Sequence, residues 1–319
     1  MVTTVTTNAM LDKTLYLPSL ELGKIFRSQK VENVVGGKGI NISLQLTELQ
    51  IENIALGFIG GEVGKQIKSM LDKDKIKNDF TWVKDNTRIG FTILENNFQQ
   101  TSIFEPNHEI SDNKKTELIN NCIKYATTSS TFAIAGSVPN KEISDIYKLI
   151  IDGVKDINPK CKIFLDSYGE EFKKGIKAKP FCVKQNKKEA EIFANYLIKN
   201  EDDYLAILNL YDVELAIITN GPDYTYIKYK NSYYRVTPLR IKVINPIGCG
   251  DVISALLIYG FEKEKSFTDT IKYGFAAAAS NAEKWVTAKN SLVDIERYVD
   301  KIIVEPLGER FYSTPSKLR

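Results

Sequence analysis

The sequence predicts an α/β protein: a mostly parallel central sheet flanked by helices on both faces, with a small β-strand lid. Three observations predict it. Short β-rich runs alternate with amphipathic stretches of helical length, the pattern of a parallel sheet covered on both sides. Two segments, 13–35 and 80–104, break that alternation, being β-like with no helix between their strands. Polar or glycine residues follow several of the strands, as they do where ligands bind beyond the carboxyl ends of an open parallel sheet.

In chain order, 2–7 (VTTVTT), 53–58 (NIALGF), 132–136 (FAIAG), 162–166 (KIFLD), 181–184 (FCVK) and 214–219 (ELAIIT) have strand length and β-rich composition. Between them, 38–49, 64–73, 114–126, 141–154, 187–198, 251–261 and 267–286 carry the apolar spacing of helices. The segments 13–35 and 80–104 are expected to form an antiparallel lid, with Asn96 and Asn97 in a hairpin turn. No repeat, low-complexity tract or domain-sized linker interrupts the chain, so 1–319 is expected to be a single domain with a surface extension from Pro306.

Composition narrows the function. Lys and Arg number 43 against 40 Asp and Glu, a net charge of +3, so the total charge calls for neither nucleic acid nor an acidic membrane. The four cysteines have neither metal-ligand spacing nor disulfide-scaffold density, and no run approaches a membrane span. With no basic-then-apolar leader at the N-terminus, the protein is expected in the cytoplasm. The one histidine, His108, falls in a loop-like stretch and is expected to be solvated, which argues against a His-based dyad and against zinc.

Two glycine clusters carry the chemistry. In NPIGCGD (245–251), Gly248, Cys249 and Gly250 turn the chain into a helix beginning near Asp251 and direct backbone N–H groups outward at its positive end. This makes an anion hole with a carboxylate placed to take a proton from an attacking hydroxyl. The same GxGD is equally compatible with an aspartate cap and a glycine turn. In GGKGIN (36–41), glycines again precede an apolar-periodic helix, with Lys38 and Asn41 able to donate to a polyhydroxylated substrate or its phosphate. The Walker spacing is absent.

GGKGIN and GCGD, in this order and separation, resemble the ribokinase-like sugar kinases of the phosphofructokinase B family. The 1-phosphofructokinase and tagatose-6-phosphate kinase branch is the most similar. The resemblance runs from Thr4 to about residue 303 through TTNAMLDKT, GFIGGEVG, TRIGFTIL, FEPNHEIS, AGSVP, LDSYGE, VKQNKKE and ITNGPD.

It implies a ribokinase-like fold and a kinase that uses ATP and Mg²⁺. Asp12, Gly36, Gly37 and Asn41 match sugar-contacting positions, Ser137 belongs to the same substrate side, and Arg88 matches an arginine that binds the phosphate already on the substrate. Lys38 is expected to be another phosphate ligand. Lys24 and Arg27 match lid cations, which in some members reach across a dimer interface. Lys184, Asn186 and Glu189 match the N-x-x-E element that organises Mg²⁺ through water and steadies the ATP phosphates. Thr219, Asn220 and Gly221 match the strand-end loop beside those phosphates, and Asn281 lies where the last helices flank adenine.

The sequence departs from the commoner pattern at Gln185, which replaces a proline, at Pro246, at Cys249 and at Asn107. None of these removes a charged catalytic group. The expected activity is phosphorylation of a ketohexose monophosphate, fructose 1-phosphate or tagatose 6-phosphate, by a homodimer joined through its lids, with Asp251 as base. Two alternatives stay open: a kinase of the same fold acting on an unphosphorylated sugar or nucleoside, and a catalytically weak nucleotide-sensing regulatory protein.

Overall fold

The computed structural model describes residues 1–97 and 99–308. Its central sheet is led by the strands β1 (Val2–Thr6) and β4 (Asn53–Gly60), which have no exposed residue and so need cover on both faces. Before β4 come the lid strands β2 (Met10–Leu17) and β3 (Lys30–Gly36) and the helix α1 (Lys38–Glu48). After it come α2 (Gly61–Lys73), the short strands β5 (Lys77–Asn78) and β6 (Thr81–Val83), and the second lid pair, β7 (Ile89–Glu95) and β8 (Gln100–Phe104).

The chain continues through α3 (Asp112–Ala126), β9 (Thr131–Ala135), α4 (Ile146–Ile157), β10 (Lys162–Asp166), α5 (Gly169–Gly175) and β11 (Cys182–Asn186). It then runs through α6 (Lys187–Ala194), α7 (Glu201–Leu210), β12 (Leu215–Thr219), β13 (Thr225–Tyr229) and β14 (Ser232–Thr237), and ends with α8 (Cys249–Glu262), α9 (Phe267–Ala282), α10 (Leu292–Val299) and β15 (Ile303–Gly308).

The main sheet has the order β15-β14-β13-β12-β11-β10-β9-β1-β4-β5, with β6 also on β4. From β12 to β5 the pairs are parallel; β12 to β15 are antiparallel. Because strand side chains alternate, two cores form. One gathers Ile40, Ile67, Leu256, Ile271 and Ile295 from α1, α2 and α8–α10. The other gathers Leu118, Ile150, Phe172, Ala190 and Leu205 from α3–α7. Helix α4 shows the logic: Ile146, Tyr147, Ile150, Ile151 and Val154 form one buried stripe at helical spacing.

A second sheet, ordered β3-β2-β7-β8, forms the lid. Its outer pairs are antiparallel, but the central pair, β2 with β7, is parallel, where an antiparallel lid was expected. The reason is connectivity. The chain leaves the lid after β3 and returns only after β6, so no hairpin dictates the direction of β7. Thr81–Val83 pairs with β4 of the main sheet rather than with these four strands.

Other departures have local causes. The helix expected over 187–198 stops at Ala194, where Asn195 turns left-handed (φ 50°). That expected over 267–286 stops at Ala282, whose carbonyl is taken by the amides of Ile244 and Asn245. The helix expected from 141 begins at Ile146, after a single 3₁₀ turn. The last strand runs to Gly308, so Pro306 is part of the sheet; 309–319, the rest of the expected extension, lie outside the described residues. Phe98, in the expected hairpin turn, also lies outside them.

Candidate active site

The carboxyl ends of β1, β9, β10, β11 and β12 share one edge of the sheet, and the N-termini of α1, α6 and α8 point at it. Gly248 opens α8 in the left-handed region (φ 76°), and a β-carbon there would lie 2.0 Å from Thr287 Cγ2. Only glycine fits such a position. The turn sets Asp251 in the first helical turn, 6% exposed, where the Asn41 amide donates to its Oδ2 at 2.7 Å.

Asp166, at the end of β10, is the hub of the site. It accepts from Lys38 at Oδ1 (2.8 Å) and from Lys184 at Oδ2 (2.5 Å), and Ser254, in the second turn of α8, donates to Oδ2 at 3.2 Å. Lys38 also stands 3.6 Å from Glu189 Oε1. Glu189 and Asn186 form a reciprocal capping box on α6: the Asn186 amide donates to Glu189 Oε2 at 2.8 Å and the Glu189 amide to Asn186 Oδ1 at 3.0 Å.

The electrostatics follow from this packing. Burial pushes the Asp251 carboxyl up to about 6, with Asp166 adding to the rise and Lys38, Asn41 and Lys184 opposing it. Burial would also raise Asp166, but the Lys184 and Lys38 ammonium groups outweigh it and hold that carboxyl well below the usual range. Lys38 stays above the ordinary lysine range because Asp166, Glu189 and Asp251 together overcome its burial.

The lid supplies the other end. Asp12, on β2, lies against two glycines: a β-carbon at Gly36 would come 2.5 Å from Asp12 Oδ2, and one at Gly90 would come 2.7 Å from Oδ1. Burial raises the Asp12 carboxyl to about 6 against the pull of Arg88. A cavity of about 590 Å³ lies under the lid, lined by Asp12, Gly36, Asn41, Thr92, Trp285 and Lys289 among others, a volume suited to a small ligand. Glu32 ties the lid down over it, accepting at Oε2 from Tyr16 (2.5 Å) and from Trp285 Nε1 of the loop after α9 (2.9 Å).

The structure thus brings Lys38, Asn41, Lys184, Glu189 and Asp251 into one charged centre, while Asp12, Gly36 and Asn41 line the cavity beside it. Gly37 is the N-cap of α1. Cys249 packs its thiol on the Ala278 carbonyl (3.5 Å), and a β-carbon at Gly250 would come 3.4 Å from Lys184 Nζ. Ser137 hydrogen-bonds through its carbonyl to Thr7 and through Oγ to Asn8. Thr219 caps the Gln185 carbonyl at 3.5 Å, and Asn220 and Gly221 turn the chain beyond β12.

Three candidates stand apart. Asn281 is 1% exposed, with its amide on the Ile247 carbonyl and its oxygen accepting from Ala288, so it braces two loops rather than facing a ligand. Lys24 is exposed and pairs with Glu21, and Arg27 lies on the same irregular segment between β2 and β3. His108 is buried, 8% exposed, against the expectation of a solvated loop residue; the loop folds back so that Asn107 accepts from Asn8 at 3.1 Å.

From sequence Asp166 is read only as one of the polar residues that follow strands along the ligand-binding edge, with no role assigned to it, and Ser254 is not singled out. An aspartate closing the strand KIFLD was the available signal for the first. Gln185 is explained: Nε2 donates to the Ser167 carbonyl (3.0 Å) and Oε1 accepts from Tyr211 (2.7 Å), a structural bridge.

Comparison with known proteins agrees with this geometry. The model of the pfkB family of carbohydrate kinases matches residues 5–291. A 1-phosphofructokinase of Borreliella burgdorferi is 30% identical over 96% of this chain and 99% of its own length. A tagatose-6-phosphate kinase of Staphylococcus epidermidis is 28% identical over 88% of this chain and 92% of its own. The crystal structure of Escherichia coli phosphofructokinase-2 in complex with potassium superposes with a TM-score of 0.87 over 94% of this chain and 98% of that one, at 20% identity.

Proposed function

Because the chain belongs to the pfkB family of carbohydrate kinases, we propose that ATP is its phosphoryl donor, that Mg²⁺ accompanies it, and that the acceptor is fructose 1-phosphate or tagatose 6-phosphate. The protein is a phosphotransferase with an alcohol acceptor that converts a hexose monophosphate to the bisphosphate. The observation that carries the mechanism is the buried Asp251 at the start of α8, steadied by Asn41 and surrounded by Lys38 and Lys184.

Asn41 occupies one Asp251 oxygen and leaves the other for the acceptor hydroxyl; Asp251 takes that proton as the acceptor oxygen bonds the γ-phosphorus of ATP and the bond to the bridging oxygen of the leaving ADP breaks. Its pKa of about 6 suits a base working near neutrality, ionised at pH 7 yet basic enough to draw the proton. The amides of Gly248, Cys249 and Gly250, at the positive end of α8, hold the transferring phosphoryl. Lys38 and Lys184 offset the charge that builds on its oxygens. Rate then comes from positioning and charge stabilisation.

The donor set limits how Mg²⁺ is held. Glu189 Oε2 is committed to the Asn186 amide and Asp166 to two lysines, and no group of three metal-ligating side chains occurs among the described residues. That fits an ion that keeps its water shell and meets Glu189 and Asn186 through it. When bound, magnesium neutralises the nucleotide phosphates.

Asp12, Gly36, Gly37 and Asn41 hold the sugar under the lid, with Ser137 nearby. Arg88 takes the phosphate it already carries. Two lids pack face to face in a homodimer, bringing Lys24 and Arg27 to the partner's site. Cytoplasmic residence is supported by the four free cysteines; no helix among the described residues is long and apolar enough to cross a membrane. A coupled kinase assay over a panel of hexose phosphates and their free parents tests the substrate. Arg88→Ala is expected to raise KM for the preferred hexose phosphate ~10–100-fold, the equivalent of losing a charge-assisted contact. A preference for the free sugar, or a phosphate-to-parent ratio unmoved by the substitution, would refute the assignment.

A further inference from the structure

Buried polar groups in folded proteins almost always find partners, so a cluster of them without any points to a ligand. Such a cluster surrounds the base of the lid. Among the described residues, His108 is nine-tenths buried with no hydrogen-bond partner for either ring nitrogen, and Arg88 Nε and Asn8 Oδ1 are buried with none. The Arg88 charge is near enough to act on His108. Asn8 bridges Asn107 Oδ1, next to His108, and Ser137 Oγ; the Arg88 carbonyl accepts from Leu11 one residue before Asp12; and the Arg88 guanidinium lies 6.0 Å above the Phe104 ring.

We propose that His108 is a positioning residue that couples uptake of one proton to capture of the phosphate carried by the substrate, acting through Arg88. The inference rests on the reading of Arg88 as the receptor for that phosphate. In the free protein, burial keeps the imidazole neutral, and the Arg88 charge adds to this while Asp85, from the segment before β7, opposes it. Behind Arg88 stand Asp12 and Tyr168; Glu105, on the same loop as His108, is held by the Ile89 amide. A phosphate dianion on Arg88 cancels the guanidinium repulsion and adds its own attraction, so the imidazole takes a proton from solvent. The resulting cation strengthens the hold on the anion. A free sugar brings no charge and gains nothing, so His108 sharpens discrimination for a phosphorylated substrate and makes affinity fall as pH rises through neutrality.

His108 is the only histidine of the chain, so in tag-free protein one imidazole NMR signal reports it alone. Its titration is followed in the free protein, with saturating fructose 1-phosphate, tagatose 6-phosphate or fructose 6-phosphate, and with free fructose. The expected result is an upward shift of about one pKa unit or more with the hexose phosphate that is turned over, as for a dianion within several ångströms at the effective dielectric of a protein. Fructose is expected to leave it unmoved, and Arg88→Ala to abolish the shift. His108→Asn is expected to flatten the rise of KM with pH between 6 and 8.5; should that variant not fold, the wild-type titration decides. A signal unmoved by every hexose phosphate, with Arg88→Ala still raising KM, overturns the role of His108 and leaves the phosphate assignment standing. If Arg88→Ala leaves KM unchanged, the underlying reading fails and the proposal with it.

Discussion

At the proposed phosphoryl-transfer end, Asp166 accepts from Lys38, Lys184 and Ser254, and Asp251 accepts from Asn41; at the lid end, Arg88 Nε, Asn8 Oδ1 and both His108 nitrogens have no partner among the described residues. The first region is sealed between α1, α8 and the sheet. The second lies under a sheet whose last strand, β8, is exposed at every residue. The difference teaches how labour is divided along one edge of the fold. The groups proposed to stabilise the transferring phosphoryl are fixed in advance, as expected where reorganising them during reaction would raise the barrier. The groups proposed to select the acceptor keep buried polar atoms that a bound substrate would partner, under a lid whose outer side the proposed second copy would cover.

The sharpest way to break this contrast is at the base. Asp251→Asn keeps the shape and the approach of Asn41 but removes the proton acceptor, so kcat is expected to fall ~10²–10⁴-fold with ATP affinity nearly intact. Near-normal turnover in a steady-state assay would remove Asp251 from the mechanism. The wild-type pH profile provides an independent check. Because the Asp251 carboxyl is raised to about 6, the active ionised form is lost as pH falls through that value, and kcat should drop about tenfold per unit below it. Asp12 is raised to the same range, so kcat/KM should fall more steeply than kcat.

The second test asks whether the transfer end is prearranged by its charges. Asp166→Asn leaves the buried Lys184 ammonium and the half-buried Lys38 ammonium facing an amide, and breaking a buried ion pair from one side costs about 3–5 kcal/mol. Urea unfolding should show that loss at pH 8. The folded carboxyl lies below its unfolded value, so its stabilisation is fully present above the unfolded pKa, near 4, and is lost only as pH falls below it. The deficit should therefore persist at pH 5. A variant as stable as wild type would mean that the hub is not what holds Lys38 and Lys184 in place.

How much of this was legible in sequence depended on distance along the chain. The six runs read as strands all became strands, and the glycine turns at 36–41 and 248–250 open helices α1 and α8 as their local pattern implied. The place of Asp166 on the ligand-binding edge was legible as a polar residue ending a strand, but its role as hub was not, because that comes from Lys38, 128 residues away, and from Ser254 on another helix. Gln185 read as a departure at a nucleotide site, yet it is spent on Tyr211 and the Ser167 carbonyl. His108 misled for the same reason: nothing local says that its loop folds onto Asn8. The hairpin β13–β14 was overlooked although its signal is local, two β-rich runs around Lys230, which takes the left-handed conformation (φ 54°).

The smallest expected effect concerns the lid's outer face. Strand register puts Leu15, Phe91, Ile93 and Ile103 on the side opposite Asp12, Thr14 and Thr92, which face the cavity, while Val31 at the edge of β3 also reaches the cavity rim. Val31 is 50% exposed and Ile103 58%, and on the neighbouring segment Leu22 and Ile25 are almost fully exposed. A patch of this kind on a four-stranded sheet with only one side covered is a candidate for burial against a second copy. Ile93→Glu with Ile103→Glu places like charges opposite one another in a face-to-face pair of lids while leaving the residues that line the cavity untouched. Sedimentation should show the wild type as a dimer at micromolar concentration and the double variant as a monomer. The hexose phosphate KM of the variant should rise several-fold, because the lid loses its brace and Lys24 and Arg27 lose the neighbouring site, while the nucleotide KM stays within about twofold, since the transfer end is built without the lid. A wild type that is monomeric at that concentration with full activity would show that the lid end needs substrate alone to complete it.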